Sequence, residues 1–117
     1  MQGKKVAVDG GSYTNVSAQQ LASMLKSKDF PLVNVHVPYE GEIEPTDLFI
    51  PYTDIQQQVG KLPADKGAKI VLYCRSGNMS DIAGRALVKL GYTNVYNLEG
   101  GMIAWKSAGL PVAEKKR

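Results

Sequence analysis

The chain holds one cysteine, Cys74, which ends the apolar run Ile70-Val-Leu-Tyr73 and opens the polar stretch Arg75-Ser76-Gly77-Asn78-Met79. A thiolate is a nucleophile and a thiol is not, so the question such a residue poses is what would keep it ionised. Gly77 and Asn78 tolerate positive φ, and successive amides in a loop of this kind converge into a nest that, with a following helix N-terminus, holds an anion. The same amides and dipole favour the charged sulfur and would stabilise a negatively charged species attached to it or attacking it. A lone cysteine taken at random is more often a buried structural thiol. At the carboxyl end of a central strand, where open α/β sheets place their ligand sites, the nucleophile is the stronger reading.

The elements that must position Cys74 follow from periodicity. Ile70 to Tyr73 is apolar without alternation, as in a strand covered on both faces. Ser80-Asp81 opens a segment with Ile82, Ala83, Ala86, Leu87 and Leu90 at helical spacing, and Gly91 is its stop. Upstream, Tyr13 to Val16 reads as a short strand, and Ser17-x-x-Gln20 is a capping box with Val16 and Leu21 as its staple. Leu32 to Val35 is a second strand that carries His36 to its end. His36 either bonds within its own loop or reaches the thiol and activates it. The loop Val37 to Asp47 is rich in Pro, Gly and carboxylates; most of these belong to a solvated surface, while Glu40 is a candidate to orient a neighbour, so His36 and Glu40 form a candidate rim. Leu48 to Ile50 is a further strand, and Thr53-x-x-Gln56 predicts a short helix over 53–59 that Gly60 ends. Gly84, inside the helix after Cys74, predicts a close approach to another backbone. Asn94 to Leu98, Gly100-Gly101 and Met102 to Ala108 give a last strand, turn and helix, with Trp105 in the core. Alternating strands and helices predict a three-layer α/β/α sandwich with a mostly parallel central sheet.

Composition narrows the function. With 117 residues, 44% hydrophobic and 21% charged, the chain suits one domain with a real core. Residues 1–12 read as a flexible leader, 13–112 as the domain and 113–117 as a basic tail. The net charge of +3 equals what Lys115-Lys116-Arg117 contribute, and no basic face interleaved with aromatics suggests nucleic acid. One cysteine and one histidine make neither an intrachain disulfide nor a zinc site, so no metal is expected, and no motif calls for a cofactor. No apolar run approaches the roughly 18 residues of a membrane span. A soluble monomer is the default, either cytoplasmic or exported with a signal already removed.

Cys74-Arg-Ser-Gly-Asn-Met-Ser80, together with Gly100-Gly101-Met-x-x-Trp105-x-x-x-Gly109-x-Pro111-Val112, resembles the rhodanese-like family of single-domain sulfurtransferases. Leu32-Val-Asn-Val-His36, Pro38, Glu40 and Ile50-Pro51 extend the likeness upstream, so that it covers about 13–112. The resemblance implies that Cys74 takes a sulfane sulfur from a donor such as thiosulfate or a persulfide, holds it as a persulfide, and passes it on. The acceptor would be cyanide or a thiol, including that of a protein. It also implies that the amides of Arg75 through Met79 cradle the outer sulfur, beside Ser80. The chain departs from many relatives at Met79, where an arginine is usual; Arg75 is the candidate replacement. Asn34 and His36 stand where Asp and Arg are frequent, and Gly41-Glu42-Ile43 replaces the usual Gly-His-Ile. Two other classes fit the loop less well. One is a Cys-dependent phosphatase or arsenate reductase, which needs an arginine six residues after the cysteine, where Ser80 stands. The other is a low-turnover sulfur-carrier, redox-sensing or docking domain.

Overall fold

The computed structural model describes residues 3–114. Six strands form one sheet: β1 (Lys4–Val8), β2 (Gly11–Val16), β3 (Leu32–Asn34), β4 (Leu48–Phe49), β5 (Ile70–Tyr73) and β6 (Val95–Leu98). Their order across the sheet is β1-β2-β6-β5-β3-β4, and every pairing is parallel except the β1–β2 hairpin. Helices α1 (Ala18–Leu25) and α3 (Gly101–Ser107) cover one face and α2 (Asn78–Lys89) covers the other, which is the three-layer arrangement expected. No helix among the described residues is long and apolar enough to cross a membrane.

β5 lies between β6 and β3, and all four of its residues are buried. The strand period of two decides which face each side chain takes. Ile70, Leu72 and then Cys74 join the core under α2, while Val71 and Tyr73 join the core under α1 and α3. Local signals upstream behave as expected: Ser17 Oγ accepts from Gln20 N at 3.1 Å, Gln20 Oε1 accepts from Ser17 N at 2.7 Å, and Val16 and Leu21 are both fully buried.

Three expectations are corrected. The stretch 1–12, read as having no period of its own, holds an edge strand in its described part: Lys4–Val8, whose Val8 pairs with Gly11 across the two-residue turn Asp9-Gly10. Asp-Gly between alternating residues is a hairpin signal, and Val6 and Val8 pack against the core. The helix over 53–59 is instead two 3-10 turns, Tyr52–Asp54 and Val59–Lys61. Only Ile55 is fully buried in that stretch, too little of an apolar face to sustain an α-helix. Gly84 meets a ring rather than a backbone, since an added Cβ would lie 3.3 Å from Tyr13 Cδ2. Of the expected tail, 115–117 lie outside the described residues. Ala113 exchanges backbone hydrogen bonds with Glu42 at 2.7 and 2.8 Å.

Two anchors fix what surrounds the end of β5. On one side the Tyr73 hydroxyl accepts from Ile43 N at 2.9 Å and lies 2.7 Å from Thr46 Oγ1, tying the 41–46 loop to the central strand. Burial, reinforced by the nearby Glu42 carboxylate, raises the Tyr73 pKa to about 12. On the other side, Met102 N donates to Cys74 O at 2.9 Å and Ile103 N to Arg75 O at 3.0 Å, so the start of α3 is seated on the peptides that follow β5. Gly101, at φ +60°, permits this contact: a Cβ there would lie 2.5 Å from Arg75 C, Arg75 O and Cys74 O.

Each anchor carries a prediction. The folded Tyr73 holds its proton to about pH 12 and an unfolded tyrosine only to about 10. Its contribution to stability is therefore complete below pH 10 and lost as pH rises from 10 to 12. Tyr73→Phe should cost about 1–3 kcal/mol at neutral pH, because the Ile43 amide loses its acceptor. It should also show a shallower loss of thermal stability between pH 10 and 12; an unchanged slope would contradict this assignment. Gly109 has φ +83° with nothing within 4 Å of an added Cβ. Chemical denaturation should show Gly109→Ala losing only about 1–2 kcal/mol and Gly101→Ala about 1–3 kcal/mol more, and equal losses would refute the close approach.

Candidate active site

Cys74 is placed at the carboxyl end of the central strand, and its sulfur is held there by the backbone. Gly77 N donates to Cys74 Sγ at 2.9 Å, and Ser80 Oγ lies 3.4 Å from the same sulfur and 3.2 Å from Gly77 O. Gly77 has φ 112°, a left-handed conformation that a β-carbon disfavours, and this brings the chain back over the sulfur within three residues. It is also the N-cap of α2, with no side-chain cap. The helix therefore begins at Asn78, two residues before the expected Ser80, and Asn78 and Met79 belong to its first turn. Asn78 does not take positive φ; among the described residues only glycines do.

The cysteine is not at the mouth of the loop. Its residue is 1% exposed, while Arg75, Ser76 and Asn78 next to it are exposed. Sγ thus lies beneath a three-residue surface loop, with one amide directed at it, a buried hydroxyl beside it and a helix N-terminus following. One backbone amide and the Ser80 hydroxyl meet the sulfur at the start of α2.

His36 and Glu40 are brought together, and with them Arg75. His36 is buried, its backbone N donates to Asn34 Oδ1 at 3.0 Å, and Asn34 Nδ2 donates to Gly41 O at 3.0 Å. His36 Nε2 lies 3.2 Å from Glu40 Oε1 but lacks the alignment of a hydrogen bond. The same Glu40 oxygen is 3.4 Å from Arg75 Nε. The imidazole thus meets Glu40 and, through it, the residue after the cysteine, whereas the polar contacts of Sγ are Gly77 and Ser80.

Three features escaped the sequence reading. Glu40, Arg75, Met102, Ile103 and Lys106 line a cavity of about 80 Å³ beside the loop. Glu42, in the loop taken as solvated, is 1% exposed, and its Oε1 accepts from the Tyr39 hydroxyl at 2.9 Å. The Gly100-Gly101 pair does more than turn the chain, because it lets two amides of α3 bind the carbonyls of Cys74 and Arg75. Only the last had a signal, two glycines at a strand's end.

Comparison with known proteins shows the family. The model of the rhodanese-like domain matches residues 17–108. A sulfurtransferase of Allochromatium vinosum is 39% identical over 98 residues, covering 81% of this chain and 86% of that protein. A tRNA uridine(34) hydroxylase of Erwinia tasmaniensis is 34% identical over 119 residues, covering 93% of this chain, yet the chain spans only 33% of that longer protein. The crystal structure of a rhodanese-related protein from Thermoplasma volcanium superposes with a TM-score of 0.73 at 28% identity, covering 86% of this chain and 98% of that one. With its cysteine at the end of the central strand and most of its length matched, the chain belongs to the rhodanese-like domain family.

Proposed function

We propose that this protein is a sulfurtransferase in which Cys74 carries the transferred sulfur. The observation that carries the reading is the 2.9 Å hydrogen bond from Gly77 N to Cys74 Sγ at the start of α2. An amide so placed donates to the charge that gathers on Cys74 Sγ when the transferred sulfur leaves it. With thiosulfate, the Cys74 thiolate attacks the terminal sulfur, the S–S bond of the donor breaks, and its electron pair leaves on sulfite. The product is a Cys74 persulfide. Cyanide or a thiolate then attacks the outer sulfur, and the electron pair of the broken bond returns to Cys74. The amides of Arg75 through Met79 cradle the outer sulfur in this scheme, and Ser80 is within reach of the inner one.

The name of the Allochromatium relative, over most of that protein's length, supports sulfur transfer; the hydroxylase activity of relatives three times as long is not carried over. The acidic 40–47 loop and the methionine at position 79, where an arginine would close the loop, support one variant of the reading, a domain that reacts slowly with small donors and exchanges sulfur faster with a protein partner. A phosphatase is opposed by Ser80 at the sixth position after the cysteine, where no guanidinium clamps a phosphoryl group.

Intact mass after incubation with thiosulfate or inorganic polysulfide tests the proposal. The protein should gain about 32 Da, one sulfur atom. The gain should be absent in Cys74→Ser and reversed by cyanide with release of thiocyanate. A protein whose mass does not change with either donor, or a gain that survives in Cys74→Ser, would sink it.

A further inference from the structure

The β1–β2 hairpin precedes residues 17–108, which the family model matches, and it leaves the sheet with one long open edge. Among the described residues no strand pairs with the outer side of β1. The opposite edge is different: β4 has two residues, and Pro51 follows shortly after. β1 pairs with β2 one residue to one over five residues, with no bulge and no proline. Such an edge is a template for another strand unless something blunts it. We propose that a second copy of this chain pairs there, β1 antiparallel to β1 about a two-fold axis through Val6, so that the sheet runs on through both molecules.

The ladder sets the register. A two-residue hairpin closes on a pair that exchanges its hydrogen bonds, here Val8 and Gly11, so Val8, Val6 and Lys4 spend theirs on β2. The N–H and C=O of Lys5 and Ala7 point to the open side. Centring the axis on Lys5 would set lysine against lysine, and centring it on Ala7 would leave Lys4 outside the ladder. Centred on Val6, the pairing uses all five residues: Lys5 exchanges bonds with Ala7 of the other copy, Lys4 faces Val8, and no lysine stands opposite another. The edge is also self-complementary in charge, with Lys4 and Lys5 at one end and Asp9 at the turn, and antiparallel pairing lays each end on its opposite. Val6 and Val8, partly buried against the core under α2, meet the same residues of the copy and extend that apolar layer. Lys4 and Lys5 project from opposite faces of the strand, so neither stands in the path of the hydrogen bonds. One five-residue strand pair is small against the roughly 1,200–2,000 Å² of a stable interface, so the dimer is weak and forms at high concentration.

Sedimentation equilibrium from about 10 μM to about 1 mM, the range in which so small an interface dissociates, should show a reversible monomer–dimer equilibrium. Ala7→Pro removes an outward N–H and leaves the bonds of β1 to β2, so it should weaken the dimer about ten-fold or more. Lys5→Glu turns the attraction to Asp9 into repulsion twice per dimer and should weaken it about three- to ten-fold. Amide exchange on the unmodified protein needs no variant to fold: Lys5 and Ala7 should slow as concentration rises, while Val6 and Val8 are slow throughout. A monomer over the whole range, a dimer indifferent to both substitutions, or concentration-dependent protection that misses Lys5 and Ala7 would overturn the inference. So would protection of those two amides by an alternating Glu-Val peptide while the protein itself stays monomeric, since the occupant would then be an acidic strand of another protein.

Discussion

The hydrogen bond from the Gly77 amide to the Cys74 sulfur is the interaction on which the site depends. It exists because three constraints coincide at one residue. The central strand ends at Tyr73, a helix begins at Asn78, and Gly77 adopts the left-handed conformation that closes the four-residue connection between them. The helix N-terminus and the amide therefore meet at the same atom.

The rest of the fold holds that geometry from two sides. Tyr73, pointing to the opposite face from Cys74, anchors the 41–46 loop through Ile43 and Thr46. The start of α3 takes the carbonyls of Cys74 and Arg75. With those carbonyls bound to α3, the amides of the same trans peptides point away from it. The site is thus made of backbone together with the buried Ser80 hydroxyl, and Glu40, Arg75 and Lys106 are the exposed side chains beside it.

Much of this was legible from residue types. A four-residue apolar run ending in cysteine announced the buried strand, and Ser17 with Gln20 announced α1. The Asp9-Gly10 hairpin was equally legible but was read as linker, since two lysines and a glycine-rich turn hide two valines that pack on the core. The 53–59 stretch misled in the other direction: a capping pattern is a local signal, and it yields where too little apolar surface follows to be buried. The burial of Glu42 and the cavity formed by Glu40, Arg75 and Lys106 join segments from three parts of the chain. No spacing rule reaches across such separations, so these had to come from the packed structure.

The central claim is that the loop after β5 receives a second sulfur on Cys74 and binds it through its amides. A crystal structure of the protein treated with inorganic polysulfide tests that directly. The account predicts density for one atom at about 2.05 Å from Sγ, with two or more of the amides from Arg75 through Met79 within hydrogen-bonding distance of it. An unmodified Cys74, or an added sulfur pointing away from those amides, would contradict it.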